Sequence, residues 1–264
     1  MKQIFLLIIF FLSCLNAQDN PYKSVSEIPL PKGYKRIELP KKSFGLFLRN
    51  FKLKKNSMVY LYNGKKKRRQ DVQFAVLDID RGNRDLQQCA DAVMRLRAEY
   101  LYTNKMWNNI HFQFTNGDTA YYTKYAEGYR LKVRGNKTYW IKKAKKDYTY
   151  KTFRSYMDVV FSYAGTYSLN QEVTRISKLN NMEIGDIFLQ TGNPYGHAVI
   201  VMDMAKNTKG DTIFLLAQSY MPAQDIHILR NPSSSLSPWY KLSFKKQLIT
   251  PEWTFQKHDL KRFP

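Results

Sequence analysis

Four strand-like segments in the C-terminal half of the chain constrain its fold more than any other feature. They cover Asp186–Gln190, His197–Asp203, Thr212–Gln218 and Asp225–Leu229, and they are rich in β-branched, aromatic and other apolar residues. We take the second and third segments as an antiparallel hairpin, since a polar turn joins them. The group therefore predicts a small antiparallel sheet.

Two helices are predicted upstream of this sheet. In Leu86–Tyr102 the apolar residues recur at helical spacing, and Asn83 or Asp85 can cap the start. The second helix is predicted over Thr152–Leu169, with apolar and aromatic residues on one face. Helices beside a sheet with no internal repeat indicate one α+β domain, which we place at residues 46–264.

Other strand signals lie between and before the helices. A Pro- and Lys-rich segment, residues 18–45, is typical of an extended N-terminal arm. The remaining predicted strands, the last two joined as a hairpin at Gly135-Asn136, are Met58–Tyr62, Val72–Ile79, Ile110–Thr115, Gly128–Arg134 and Lys137–Lys142.

The first 17 residues have the pattern of a signal peptide. Lys2 precedes an uncharged apolar run, and Ala17 is a small residue at a plausible cleavage point. The run is too short to span a bilayer, so we expect a soluble periplasmic or secreted protein. A lipoprotein signal acylated at Cys14 is the less favoured alternative.

The formal net charge of +22 favours anionic partners. Outside the cytoplasm these are acidic wall polymers, including peptidoglycan, or lipid phosphates, so peripheral membrane contact is compatible with the charge. Nucleic acid is not expected for an exported protein. The basic run Lys65–Arg69 is interpreted as a solvated loop.

The sequence predicts neither a metal nor another cofactor. The four histidines are scattered, without metal-ligand spacing, and no glycine-rich phosphate loop follows a strand. His111 and His227 lie on the polar faces of strands and are expected to face solvent.

Removal of the signal would leave Cys89 as the single cysteine, either a buried apolar group or a reactive thiol. The reactive interpretation places a thiolate near a helix start, with its pKa lowered by backbone N–H groups and a neighbouring imidazolium. His197 is the candidate base. The buried alternative remains open because Cys89 falls on the apolar stripe of its helix.

A catalytic imidazole also needs an orienting partner. Asp203 shares a strand face with His197, but six residues of strand put it about 20 Å away. A hairpin centred between Asn207 and Thr208 instead places Gln218 opposite His197, with Ser219 and Tyr220 as alternatives. We expect Gln88, or its neighbour Gln87, to add an oxyanion donor to the backbone N–H groups near Cys89.

Two segments, Asp78–Tyr102 and Ala217–Leu229, resemble a family of exported Bacteroidota proteins catalogued as a domain of unknown function. The resemblance covers nearly the whole chain after the signal. It implies no established activity.

A second resemblance covers about a third of the chain. Gly185-Asp186-Ile187-Phe188, then Gly196-His197-Ala198-Val199-Ile200-Val201, then a strand that ends in Gln218, is similar to NlpC-type papain-like cell-wall peptidases. It implies a papain-like core with the Cys89 helix against a small antiparallel sheet. It also implies Cys89 as nucleophile, His197 as base and Gln218 as orienting residue.

The chain departs from that peptidase pattern in two ways. Gln88-Cys89-Ala90 replaces the usual Asp or Asn before the cysteine and the Ser-Gly after it. The long gap to His197 requires a strand-rich insertion around residues 110–145.

The function expected from these features is a papain-like thiol hydrolase, a peptidase or amidase, that acts on peptidoglycan or envelope peptides. The alternative is a non-catalytic envelope protein on the same scaffold that binds an anionic or glycan partner. Its surface would use basic residues and exposed aromatics such as Trp239, Tyr240 and Trp253, which equally fit a packing role.

Overall fold

The computed structural model describes residues 19–244 and 246–264. The predicted signal peptide, with Cys14, lies outside the described residues. Within them, no helix is long and apolar enough to cross a membrane.

The chain forms strands and short helices in a mixed order. The strands are β1 (Tyr34–Arg36), β2 (Gln73–Val76), β3 (His111–Gln113), β4 (Thr119–Tyr121), β5 (Tyr129–Arg134), β6 (Lys137–Lys142), β7 (Thr174–Arg175), β8 (Ile187–Gln190), β9 (His197–Asn207), β10 (Thr212–Gln218), β11 (His227–Leu229), β12 (Tyr240–Lys241), β13 (Gln247–Ile249), β14 (Thr254–Gln256) and β15 (Leu260–Arg262). The α-helices are α1 (Phe44–Arg49), α2 (Cys89–Thr103), α3 (Tyr122–Ala126), α4 (Tyr150–Tyr163) and α5 (Thr166–Glu172). Single 3₁₀ turns cover Val25–Glu27, Trp107–Asn109, Leu179–Asn181 and Lys257–Asp259.

The main sheet has nine antiparallel strands, so the prediction of a small sheet was wrong in size. Its order is β2-β11-β10-β9-β8-β15-β7, while β1 pairs with β9 and β12 pairs with β10. The unpredicted members β1, β7, β12 and β15 are two or three residues long. Such short strands show no recognisable alternation, and only tertiary pairing defines them.

Strand β9 is the centre of the core. Its first nine residues, His197 to Ala205, are all buried, so both faces of the strand are covered. Helix α2 packs against β9. This contact places the start of the helix beside the start of the strand.

Helix α2 begins three residues later than predicted. Its N-cap is Gln88, whose backbone N–H donates to Asp91 Oδ2 at 3.0 Å. Because that carboxylate satisfies the end of the helix, neither Asn83 nor Asp85 caps it. Cys89 is therefore the first helical residue.

The second predicted helix is divided at Ala164 and Gly165 into α4 and α5. The predicted hairpin is confirmed as β5 and β6, with Gly135 at φ +56° in the turn. Residues 110–145 hold two hairpins, β3-β4 and β5-β6, and are strand-rich as expected.

Both ends of the described chain are more ordered than the sequence predicted. The N-terminal arm includes β1, and its last residues begin α1. The C-terminal tail after Arg230 has Pro232 and a run of three serines near its start, a composition that favours a loop. It nevertheless provides β12 to β15, and β15 lies between β8 and β7. This tail brings side chains into the site described next.

Candidate active site

The Cys89 thiol contacts the backbone on both sides of His197. Its Sγ donates to Gly196 O at 3.9 Å, and the backbone N–H of Ala198 approaches the sulfur from the other side. The docking of the start of α2 on β9 therefore places the thiol beside the backbone that carries His197.

His197 is hydrogen-bonded to Gln218, with Nε2 2.8 Å from Gln218 Oε1. The predicted register was wrong by two residues, since Ala217 pairs with Ile200 and not with Ala198. The turn displaces the register by three residues, and the shift between Leu215 and Leu216 reverses one of them. Gln218 still reaches His197 because diagonal neighbours on antiparallel strands lie within reach of long side chains.

Three aromatic side chains surround the imidazole. The ring centroids of Tyr220, Trp253 and Phe255 lie 5.0, 5.2 and 5.8 Å from that of His197. Trp253 is itself fixed, since its Nε1–H donates to Gln190 Oε1 at 2.8 Å. These contacts hold the ring in one orientation and keep water away from it.

A buried ion pair lies behind Gln218. Gln218 Nε2 donates to Glu252 Oε2 at 2.8 Å, and Lys67 Nζ donates to the same oxygen at 2.6 Å. Lys67 also lies over the Tyr220 ring, 5.5 Å from its centroid. The interpretation of Lys65–Arg69 as a fully solvated loop was therefore wrong for Lys67, which is buried while its neighbours are exposed.

Burial keeps the Cys89 thiol and the His197 imidazole neutral near pH 7. Desolvation, with a smaller effect of Asp91, raises the pKa of Cys89 to about 11, although backbone N–H groups favour the thiolate. Burial also lowers the pKa of His197 to about 4; the bond to Gln218 opposes this and the charge of Lys67 adds to it. The expected thiolate–imidazolium pair is thus replaced by a thiol and a neutral imidazole.

A pocket of about 230 Å³ opens beside the thiol. Exposed Tyr195 forms part of its rim, and Cys89 itself is 6% exposed. Gly196 is required here, because a Cβ at this position would lie 2.2 Å from Gln190 O and 2.7 Å from Thr166 Oγ1. The backbone that carries His197 is therefore closely packed.

Gln88 lines the same pocket, but its side chain has a structural partner. Its Nε2 donates to Asp85 Oδ1 at 3.0 Å. Gln87 is buried and accepts from Arg95 at 2.9 Å. The oxyanion role of Gln88 stays a prediction, and the backbone N–H groups of Ala90, Ala198 and Cys89 all lie near the sulfur.

Asp203 lies away from this site, as the strand geometry required. It is fully buried and pairs with Arg36 at 2.6 Å and Arg49 at 2.7 Å. The expectation that His227 faces solvent was wrong. It is fully buried on β11, and its Nδ1 bonds to Asp225 O at 2.9 Å.

The aromatic residues proposed for a binding surface are packing groups, two of them buried and one partly buried. Trp239 and Tyr240 are 1% and 2% exposed, so neither can present a ring to a partner. Trp253 packs on His197 as described above. No group of three or more potential metal-binding side chains occurs among residues 19–244 and 246–264.

Fold and site together define an α+β protein with a buried cysteine–histidine pair at a helix–strand junction. The chain belongs to the family described as Domain of unknown function (4846), whose model matches residues 25–262. Neither the curated proteins nor the solved structures include a significant match to it.

Sequence reasoning missed Lys67 and Glu252 and gave Trp253 a different role. One signal was available, because Glu252 is the only acidic residue between Asp225 and Asp259 and lies next to Trp253. A lone carboxylate in a basic tail has an increased chance of a specific partner. The partner of Glu252 depends on the path of the C-terminal tail through the fold, and no local sequence pattern predicts that path.

Proposed function

We propose that this protein is an exported thiol hydrolase that cleaves an amide bond in peptidoglycan or in an envelope peptide. One observation carries the proposal: the Cys89 thiol contacts the backbone on both sides of His197, whose Nε2 is held by Gln218 at 2.8 Å. A nucleophile, a base and an orienting group are the parts that such a reaction needs.

In the proposed reaction, Cys89 Sγ attacks the amide carbon while the thiol proton moves to His197 Nδ1. The electrons of the C=O bond move to its oxygen, which accepts hydrogen bonds from backbone N–H groups at the start of α2 and from Gln88. The imidazolium then donates its proton to the departing amine, and a thioester remains. Water, deprotonated by His197, attacks the thioester, releases the acid and restores the thiol.

The raised pKa of Cys89 and the lowered pKa of His197 determine when the proton moves. A resting ion pair is unfavourable in so dry a site. We therefore expect proton transfer only as the carbon–sulfur bond forms. A bound substrate that adds hydrogen bonds and excludes water would favour this step.

The surface charge and the pocket support the choice of substrate. A formal charge of +22 favours approach to anionic wall polymers. The pocket of about 230 Å³ is smaller than the roughly 300–1,000 Å³ of most ligand sites, so it suits one short side chain or a peptide end and not a folded protein.

A second candidate function is a non-catalytic envelope protein that binds an anionic or glycan partner. The observation that favours it is the burial of the thiol, which at 6% exposure and a raised pKa resembles a structural cysteine. Its contacts would come from basic surface residues, because Trp239 and Tyr240 are buried.

The two functions differ in what they require of Cys89. We would incubate the protein with purified peptidoglycan and with its soluble peptide fragments, and follow new amino groups and fragment masses. The hydrolase predicts new amines with the wild type, none with Cys89→Ala, and unchanged sedimentation of both proteins with the polymer. Equal binding with no amines from either protein would instead support the second function.

A further inference from the structure

Glu252 and Lys67 form a charged pair whose position behind the site has a chemical consequence. Both side chains are largely buried, at 10% and 8% exposure, and Gln218 in front of them is fully buried. Glu252 Oε2 accepts from Gln218 Nε2 at 2.8 Å and from Lys67 Nζ at 2.6 Å. Burial of two charges costs free energy, so a buried ion pair adds little to stability. The position of this pair close to a candidate base points instead to an effect on that base.

The carboxylate determines which end of the Gln218 amide faces it. An ionised carboxylate can only accept hydrogen bonds, so the NH₂ end of the amide must face Glu252. The carbonyl end then faces His197, where Oε1 lies 2.8 Å from Nε2. Without both Glu252 and Lys67, the two amide orientations would differ much less in free energy.

The amide in turn determines which nitrogen of His197 carries the hydrogen. An amide oxygen can only accept, so Nε2 must be the protonated nitrogen of the ring. In a neutral imidazole the other nitrogen, Nδ1, then has the free lone pair. That nitrogen is the one that a thiol proton must reach.

Lys67 helps to keep the Gln218 amide in this orientation. Its ammonium group bonds to the same carboxylate oxygen and lies over the face of Tyr220, 5.5 Å from the ring centroid. An ammonium group can only donate, so the carboxylate oxygen that Lys67 shares with Gln218 accepts from both side chains. Lys67 would also attract the carbonyl end of Gln218 if Glu252 were absent.

We propose that Glu252, held by Lys67, is a positioning residue that orients the Gln218 amide and so holds His197 as its Nε2–H tautomer. The catalytic importance of this tautomer rests on the proposed hydrolase function. The tautomer itself does not, and it can be measured without a substrate.

The test uses the full chain labelled with ¹⁵N-histidine, because ring nitrogen shifts distinguish a protonated nitrogen from a free one. At pH 7 the wild type is expected to have its proton on Nε2 of His197. Glu252→Gln should keep it there, since the new amide oxygen can accept from both Gln218 and Lys67. Glu252→Met should move the proton to Nδ1, because Lys67 then draws the carbonyl end of Gln218 toward itself.

A double variant, Lys67→Met with Glu252→Met, covers the case in which the single Met variant does not fold. Replacement of both charges by apolar side chains of similar length is nearly neutral for buried pairs. It removes the bias on the amide, and we expect a mixture of the two tautomers. A single Nε2–H tautomer in this variant would overturn the role of Glu252, as would a wild-type proton on Nδ1.

Hydrolysis provides a second, separable readout. With the Met variant we expect a loss of about a hundredfold in rate, the low end of what a positioned base contributes, and only a few-fold loss with Gln. Absence of hydrolysis in the wild type, with the expected tautomers, would exclude the proposed function and support the positioning of His197 by Glu252. Equal rates in the Met and Gln variants would overturn the positioning role.

Discussion

Helix α2 carries two buried polar clusters less than two turns apart, one at Cys89 and one at Arg95. Arg95 is fully buried, and every nitrogen of its guanidinium group has a partner. Its partners are Glu99 at 2.6 Å, Asp80 at 2.8 Å, Gln87 at 2.9 Å and Tyr150 at 3.0 Å. Burial lowers the pKa of Arg95, but the charges of Glu99 and Asp80 outweigh it and raise the pKa overall.

The Cys89 cluster has the opposite character. Its two central groups are neutral, and burial shifts both pKa values toward the neutral forms, to about 11 for Cys89 and about 4 for His197. One helix therefore carries a charged, fully paired cluster in its middle and a neutral cluster at its start. Because Gln87 bonds to Arg95 and lies two residues before Cys89, the charged cluster helps to hold the start of the helix in place.

The largest expected effect concerns catalysis. His197→Asn should reduce the proposed hydrolysis about a thousandfold, because it removes the proposed base while leaving a polar group near Gln218. The measurement is the initial rate of amine release. His111→Asn, a change at a half-exposed histidine on β3, is the matched control and should leave the rate unchanged. Equal losses in both variants would contradict a special role for His197.

The next prediction concerns the reactivity of the thiol. With a pKa of about 11, the thiolate fraction rises about tenfold per pH unit between pH 7 and 10, and alkylation of Cys89 should rise with it. Peptide mapping by mass spectrometry after timed exposure to iodoacetamide follows this residue alone. A rate that is already at its plateau below pH 7 would instead indicate the ion pair that the sequence suggested.

Disruption of the Arg95 cluster should mainly lower the stability of the fold. Arg95→Met leaves buried Glu99 with the Tyr150 hydroxyl but without its charged partner, and we expect a loss of about 3 kcal/mol in the free energy of unfolding. Urea denaturation measures it. The control is Arg84→Met, which breaks an exposed pair with Asp158 and should cost about 0.5 kcal/mol or less. Similar losses would contradict the contrast between the buried and the exposed pair.

A smaller effect is expected from the backbone before His197. Gly196→Ala would place a Cβ 2.2 Å from Gln190 O, and the resulting shift should cost about 2 kcal/mol of stability. The same denaturation experiment applies. Gly165→Ala is the control, since no atom lies within 4 Å of a Cβ there and its φ of −179° suits any residue. No difference between the two would mean that this turn adapts freely.

The smallest effect is expected at the edge of the Arg95 cluster. Burial raises the pKa of Asp80, but Arg95 and Arg154 lower it overall, to about 2. A lowered carboxyl pKa stabilises the fold above the unfolded pKa, and this contribution is lost as the pH falls from about 4 to 2. Since Asp80 is half-exposed, Asp80→Asn should cost less than about 1 kcal/mol at pH 7, less than that at pH 2, and almost nothing well below the folded pKa of about 2. A cost that does not change with pH would contradict the ion-pair origin.

The parts of the fold that the sequence predicted are those with strong local patterns. The apolar run of β9, the alternation of β5 and β6 around Gly135, and the body of α2 each extend over a turn or a strand length. The positions at which helices begin and end were predicted less well. The start of α2 depended on one carboxylate, Asp91, that bonds to the backbone three residues earlier.

The candidate site was predictable in its residue types and not in its electrostatics. Cys89, His197 and Gln218 were identified from sequence, although the predicted register between the strands was wrong by two residues. A pKa depends on the water excluded by neighbours from distant parts of the chain. Trp253 and Tyr220 are such neighbours, and they help to replace the expected ion pair by a neutral one.

The sequence by itself determined that this chain has an α+β fold, with a cysteine near a helix start and a histidine at the start of a buried strand. Only the tertiary structure decided that the Glu252–Lys67 pair stands behind Gln218, and that burial makes the thiol and the imidazole neutral. The physical reason is the distance along the chain over which each effect acts. Periodicity acts between residues a few positions apart, whereas desolvation and ion pairing depend on segments that meet only in the folded protein.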